Sequence, residues 1–120
     1  MRIFKNTWFT RFADREGITN AELREMVNRL EAGQADADLG EGVYKVRVAR
    51  PGEGKSGGYR VIVFFKSEER TFYQYGFSKS DRGNVDQKEL RLYKKIAKTK
   101  LAMSEKELTD AVNAGELIEI

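Results

Sequence analysis

The sequence predicts an α+β domain: a small antiparallel sheet with mixed edges, flanked by helices. Three observations predict it. Residues 44–49, 59–66 and 70–77 are rich in Val, Ile, Phe and Tyr and read as consecutive strands. Three segments outside this block open with a Ser, Thr or Asp followed three residues later by Glu, the signature of a capped helix start. The chain has 120 residues, one proline and no repeat or linker, so residues 1–120 form one expected domain.

The opening Arg2-Ile3-Phe4-Lys5 is short and apolar at its centre, which suits an edge strand, and a short amphipathic turn follows around Trp8, Phe9 and Phe12. The first full helix starts at Thr19, with Glu22 answering the cap and Ile18 placed to pack on Leu23. Leu23, Met26, Val27 and Leu30 recur at i, i+3, i+4 and i+7, and Gly33 supplies a stop. Tyr44-Lys45-Val46-Arg47-Val48-Ala49-Arg50 alternates apolar with cationic residues, so Tyr44, Val46 and Val48 face the core while Lys45 and Arg47 share the other face. A Gly-rich flexible hairpin loop leads to Gly57-Gly58-Tyr59-Arg60-Val61-Ile62-Val63-Phe64-Phe65. Ser67-Glu68-Glu69 is a tight turn into Arg70-Thr71-Phe72-Tyr73-Gln74-Tyr75, where Tyr73 and Tyr75 are expected on one face. Asp86 caps a helix with Leu90, Tyr93, Ile96, Ala97 and Leu101 inward and Lys94, Lys95 and Lys98 outward. Ser104 and Glu107 open a last helix that ends at Gly115, and Leu117-Ile118-Glu119-Ile120 closes the chain as a second edge strand. The element order is β-α-α-β-β-β-α-α-β, the pattern of an α+β domain.

Composition removes several chemistries. With no Cys there are no disulfides, no thiol catalysis and no Cys-based zinc site; with no His, acid–base work falls to Asp, Glu, Lys, Arg or Tyr. The absence of Cys fits a reducing cytoplasm, the expected location. No apolar run is long enough to span a membrane, and Arg2, Lys5 and Arg11 interrupt the N-terminus, so neither a membrane partner nor a signal peptide is expected.

The overall charge of +3 conceals strong segregation. Residues 44–60 set Lys45, Arg47, Arg50, Lys55 and Arg60 against Glu53, a net of +4, and residues 77–100 set eight cations against three carboxylates, a net of +5. Residues 13–41 carry −5 and residues 101–120 carry −4. Such segregation points to a basic face that meets an anionic partner.

Each motif has a plainer reading. Arg50-Pro51-Gly52-Glu53-Gly54-Lys55-Ser56 looks like a phosphate-binding loop, but the first Gly of that motif would fall on Ala49 and a strand follows instead of a helix. It is better read as a hairpin loop whose Lys55 can touch a phosphate backbone. Asp81 and Asp86 are a loop carboxylate and a helix cap, not a metal pair. Lys45 and Arg47 alone would be a solvated face, and so would Lys94, Lys95 and Lys98. Arg60 on the neighbouring strand, with Lys79 and Arg82 just after the third, raises the first group above that, because five cations near one sheet exceed what solubility needs.

Asp36-Ala37-Asp38-Leu39-Gly40, the Tyr44–Arg50 run, Gly54-Lys55-Ser56-Gly57-Gly58-Tyr59-Arg60 and Tyr75-Gly76-Phe77-Ser78-Lys79 together resemble the RelE/ParE superfamily of type II toxin–antitoxin toxins, specifically its HigB-like branch. The resemblance extends over nearly the whole chain, to Gly115-Glu116-Leu117-Ile118-Glu119, and its specificity lies in the combination. It implies a compact antiparallel sheet flanked by helices. RelE-like members cut mRNA without metal, usually in the ribosomal A site, whereas ParE-like members poison DNA gyrase, so fold alone does not choose between them.

Carried over residue by residue, the resemblance assigns catalytic roles to Lys45, Arg47, Arg60 and to Lys79 or Arg82. Arg50, Lys55 and Tyr59 are the expected RNA contacts. Val85 and Asp86 stand where some RelE members carry a functional Tyr, so no general base is assigned. The implied partners are a cognate antitoxin, the ribosome and mRNA; no metal or cofactor is implied. A gyrase-inhibiting toxin and a plain RNA-binding module are the alternatives.

Overall fold

A computed structural model describes residues 1–50, 54–79 and 84–120, apart from the side chains of residues 50 and 54–57. In order it contains β1 (Arg2–Lys5), α1 (Thr7–Glu16), α2 (Asn20–Glu31), β2 (Ala37–Gly40), β3 (Val43–Arg50), β4 (Gly54–Lys66), β5 (Arg70–Ser78), α3 (Gln87–Leu101), α4 (Glu105–Asn113) and β6 (Ile118–Glu119). The expected α+β class is the observed one. One six-stranded sheet runs β2-β3-β4-β5-β1-β6. β1 lies parallel to β5 and every other pair is antiparallel.

The helices form where local chemistry directs them. Thr19, Asp86 and Ser104 each accept a hydrogen bond from the backbone of the Glu three residues on, and each Glu reciprocates, so three capping boxes satisfy N-terminal donors of α2, α3 and α4. α1 is a full helix of 10 residues, longer than the expected turn. Asn6 caps it, and Gly17, at φ 73°, ends it in a left-handed conformation that glycine adopts without a Cβ clash. Trp, Phe and Thr are mediocre helix formers, so α1 owes its length to packing more than to propensity.

Helices cover both faces of the sheet. Phe9, Phe12 and Ala13 of α1 and Leu23, Met26, Val27 and Leu30 of α2 pack with Val46, Val48, Tyr59, Val61, Val63 and Tyr73. On the other face, Tyr93 and Ala97 of α3 and Leu108 and Ala111 of α4 pack with Phe4, Val43, Ile62, Phe64, Phe72 and Phe77. Complete burial of one such side chain contributes about 1.5–3 kcal/mol.

Four expectations change. β1 is an interior strand, because β6 pairs outside it through Phe4–Glu119 and Lys5–Ile118; the edges are β2 and β6. β2 was not foreseen: Ala-Asp-Leu-Gly has little strand propensity, and the segment is a strand because β3 offers it an edge, with Ala37 opposite Lys45. The Gly-rich run expected as loop is mostly strand, since β4 starts at Gly54 and Gly54 pairs with Arg50; residues 51–53 lie outside the described residues. Tyr73 and Tyr75 do not share a face. Val63 pairs with Tyr73 and Ile62 with Tyr75, so Gln74 is an extra residue that reverses the alternation. Tyr73 enters the α1/α2 core and gives its hydroxyl hydrogen to the Leu23 carbonyl, whereas Tyr75 packs with the α3/α4 core.

A cluster of ion pairs ties the chain termini together. Arg2 donates from Nε and Nη2 to the two carboxylate oxygens of Glu119, both at 2.9 Å, and from Nη1 to Glu105 at 2.9 Å. The hydrogen bond from Arg2 holds the Glu119 carboxyl below its ordinary value of 4.5. Glu31 is also lowered, first by the Glu68 N–H and then by the Ser67 hydroxyl, and Glu107 by the Ser104 N–H and then its hydroxyl. A carboxyl depressed in the folded state adds stability above its unfolded pKa and loses it as pH falls through the folded value. The melting temperature should therefore be level near neutrality and decline below about pH 4.5. In a calorimetric pH series, a Glu119→Gln variant should show a shallower acid decline; an unchanged slope would exclude this carboxyl as a contributor.

Candidate functional site: a cationic face of the sheet

β3, β4 and β5 bring the cations together. Arg47 sits directly opposite Arg60, and Lys45 opposite Ile62. Across the other side of β4, Arg60 faces Phe77. Because Ile62 and Phe64 point into the α3/α4 core, alternation along β4 puts Arg60 on that same face. Lys45 and Arg47 share it from β3. Lys79 continues the alternation from Phe77 and is exposed.

Arg60 is the unusual member. It is 4 % exposed, and its Nη1 has no hydrogen-bond partner. A buried guanidinium normally has its donors satisfied, because desolvating an unpaired charged group is costly. Its nearest neighbour in register is another cation, and like charges on directly opposed strand residues destabilise a sheet. Arg70 is also buried, has no partner at Nε and stands opposite Lys66 and Arg2, but Glu105 and Glu69 pair with it. No described carboxylate pairs with Arg60. The pair forms a preset, partly desolvated positive site that an anion would complete.

The surrounding cations are held by neutral or weak contacts. Arg47 is half exposed, and its Nε is 4.0 Å from Asp36 Oδ1. The Arg47 backbone is held more firmly: its N–H donates to Asp36 Oδ2, and its carbonyl accepts from Arg29 Nη2 at 2.9 Å. These side chains replace the strand pairing that β2 does not extend to residue 47, so the end of β3 stays extended. Lys45 is half-buried and donates from Nζ to Asn84 Oδ1 at 3.3 Å. The segment entering α3 thus touches the cationic face.

Phe77, opposite Arg60 in register, continues into a group of packed aromatic rings. Tyr75 lies 6.1 Å from Phe77, 6.3 Å from Tyr93 and 4.6 Å from the half-exposed Trp8.

The expected site residues divide clearly. Lys45, Arg47, Arg60 and Lys79 share one face. Tyr59 does not: it is buried on the α1/α2 side, edge-on to Phe12, and its hydroxyl donates to Glu16 at 2.6 Å. Adjacent strand residues point to opposite faces, so Tyr59 and Arg60 cannot meet the same ligand surface. Arg82 and Asp81, with the side chains of Arg50 and Lys55, lie outside the described residues. Asp36, part of the family resemblance only, and Arg29 and Asn84 were not expected at the site. Their roles depend on where a turn returns to the sheet, which no local spacing encodes. A cleft of about 210 Å³ borders Arg47, but its lining of Met26, Val48, Glu22 and Glu25 belongs to the α2 side. Among the described residues, no three acidic side chains gather in a way that could hold a metal ion.

The fold and face together define a class: a small α+β protein whose β3 and β4 gather Lys45, Arg47 and Arg60 on one face, with Arg60 buried and unpartnered at Nη1. The family model for the RelE toxin of the RelE/RelB toxin–antitoxin system matches residues 1–120, and the chain belongs to that family. It is therefore the toxin of a toxin–antitoxin pair, and the family implies a RelB-type antitoxin as its partner. No helix among the described residues is long and apolar enough to cross a membrane.

Proposed function

We propose that this protein inhibits translation as a metal-independent mRNA endoribonuclease, acting on ribosome-bound message in the cytoplasm, and that it belongs to the HigB-like branch. The observation that carries the reading is Arg60: buried, unsatisfied at Nη1 and opposed by Arg47. Membership of the RelE toxin family supports it.

The reaction is attack of a ribose 2′-oxygen on the adjacent phosphorus. The 2′-hydroxyl proton departs to a base, the P–O5′ bond breaks, and the 5′ oxygen takes up a proton. Charge builds on the non-bridging oxygens in the transition state, and fixed donors aimed there lower the barrier without reorganising. Arg60 fills that role, with Arg47 beside it. Guanidinium is always charged and presents a fork of donors matched to phosphate. Lys45, steadied by Asn84, and Lys79 bind the flanking phosphates or deliver the proton to the leaving oxygen. Arg82, Arg50 and Lys55 extend the same basic track in sequence. The ribosome contributes the positioning of the message.

Inducing the protein in bacteria and mapping transcript ends tests this directly. In-frame cuts within translated regions are expected. DNA breaks with intact transcripts would replace this reading with gyrase inhibition. In a ribosome-containing assay, cutting should survive excess EDTA once enough Mg²⁺ is restored to keep the ribosome assembled. Cutting of naked mRNA by the purified protein that requires a divalent ion would overturn metal independence.

A further inference from the structure

The outer face of α3 is built for something other than solvent. Lys88, Arg91, Lys95 and Lys98 are all exposed on successive turns, spanning about 15 Å of helix. None of the four makes an ion pair with a described residue. The only carboxylate within α3, Glu89, is committed to the N-terminal cap. A face serving only solubility would mix charges of both signs. In the middle of these cations Leu92 is 55 % exposed, more than any other large hydrophobic residue among those described. Lys88, Glu89, Arg91, Leu92 and Lys95 line a shallow depression of about 480 Å³.

We infer that this stripe of α3 docks an acidic, amphipathic segment of a partner protein, with one apolar side chain of the partner seated on Leu92 and its carboxylates meeting Lys88, Arg91, Lys95 and Lys98. An apolar centre inside a charged rim is the anatomy of a protein interface. A phosphate backbone would use the cations but has nothing to place on an exposed leucine. The site also has a functional position. α3 begins two residues after Val85, next to the Asn84 that holds Lys45, so a partner on α3 lies beside the cationic face. The inference rests on the antitoxin partnership and not on the nuclease reading.

The test uses the purified toxin and its RelB-type antitoxin. Leu92→Asp and Lys95→Glu are surface changes that should leave the fold within about 0.5 kcal/mol of the parent, which circular dichroism and melting confirm. Titration should show each variant losing fivefold or more in antitoxin affinity, and parental affinity falling as salt rises. A smaller loss overturns the proposal. So does a variant whose defect lies instead in binding a 20-base-pair RNA duplex, or in self-association of the toxin. Transcript cutting by the free toxin is measured in parallel and should be unchanged by Leu92→Asp. A toxin that binds through Leu92 yet cuts no RNA would refute the nuclease reading alone.

Discussion

Arg60→Met should abolish toxicity and transcript cutting while leaving the protein at least as stable as the parent. The two halves of this expectation come from one observation. Arg60 is 4 % exposed, its Nη1 lacks a hydrogen-bond partner, and Arg47 stands opposite. In the free protein these features oppose folding. A methionine of similar length fills the space without a charge to desolvate, and replacing a poorly compensated buried charge by an apolar group is often neutral or stabilising. In the transition state the same guanidinium would meet developing phosphate charge in a site partly screened from water. Removing one such donor typically costs about 2.7–4 kcal/mol, or roughly a hundred- to a thousandfold in rate. Thermal melting and an induction assay on the same variant decide the matter. A folded Arg60→Met protein that arrests growth like the parent would show Arg60 to be structural, and one that melts well below the parent would show that its other donors stabilise the fold.

Gly76→Ala should destabilise the protein by about 1–3 kcal/mol, an overpacking cost, although only one methyl is added. Gly76 lies in β5 between the rings of Tyr75 and Phe77, and α1 lays Phe12 against it. A Cβ at this position would fall 2.3 Å from Phe12 Cε2 and 2.7 Å from Cζ. The ring has little room to give way, being packed against Trp8 at 5.4 Å, Phe9 at 5.7 Å and Tyr59 at 5.7 Å. Relief requires α1 to lift or β5 to bend, and β5 carries Phe77 opposite Arg60. Cutting activity should therefore fall along with the melting temperature. A compensating Phe12→Leu change should restore part of both. Unchanged melting in Gly76→Ala would mean that α1 seats more loosely than the structure shows.

Much of this architecture is legible without coordinates, for local reasons. A capping box needs only two residues three apart, and Thr19–Glu22, Asp86–Glu89 and Ser104–Glu107 all form as the sequence predicts. Alternation needs only one strand, so the placement of Lys45 and Arg47 opposite to Val46 and Val48 follows from β3 alone. The failures share a physical cause as well. β2 exists because β3 has an open edge, not because Ala-Asp-Leu-Gly prefers to be extended. Tyr73 and Tyr75 part company because of one extra residue opposite Ile62–Val63, and a bulge belongs to a pair of strands.

The candidate site divides along the same line. The amino-acid sequence by itself determined the chemistry on offer: no thiol, no imidazole, a segregated basic middle, and an arginine directly ahead of the apolar run Val61–Phe65. It also determined the family, through a combined pattern that the match over residues 1–120 supports. Only the tertiary structure decided that Arg60 is buried and unsatisfied, that Arg47 stands opposite it, that Asn84 reaches Lys45, and that Tyr59 turns away to Glu16. Residue type and periodicity are properties of a single strand or helix and can be read along the chain. Register, burial and the return of a distant turn are set by how strands and helices pack against one another, and they become definite only when the sheet has closed.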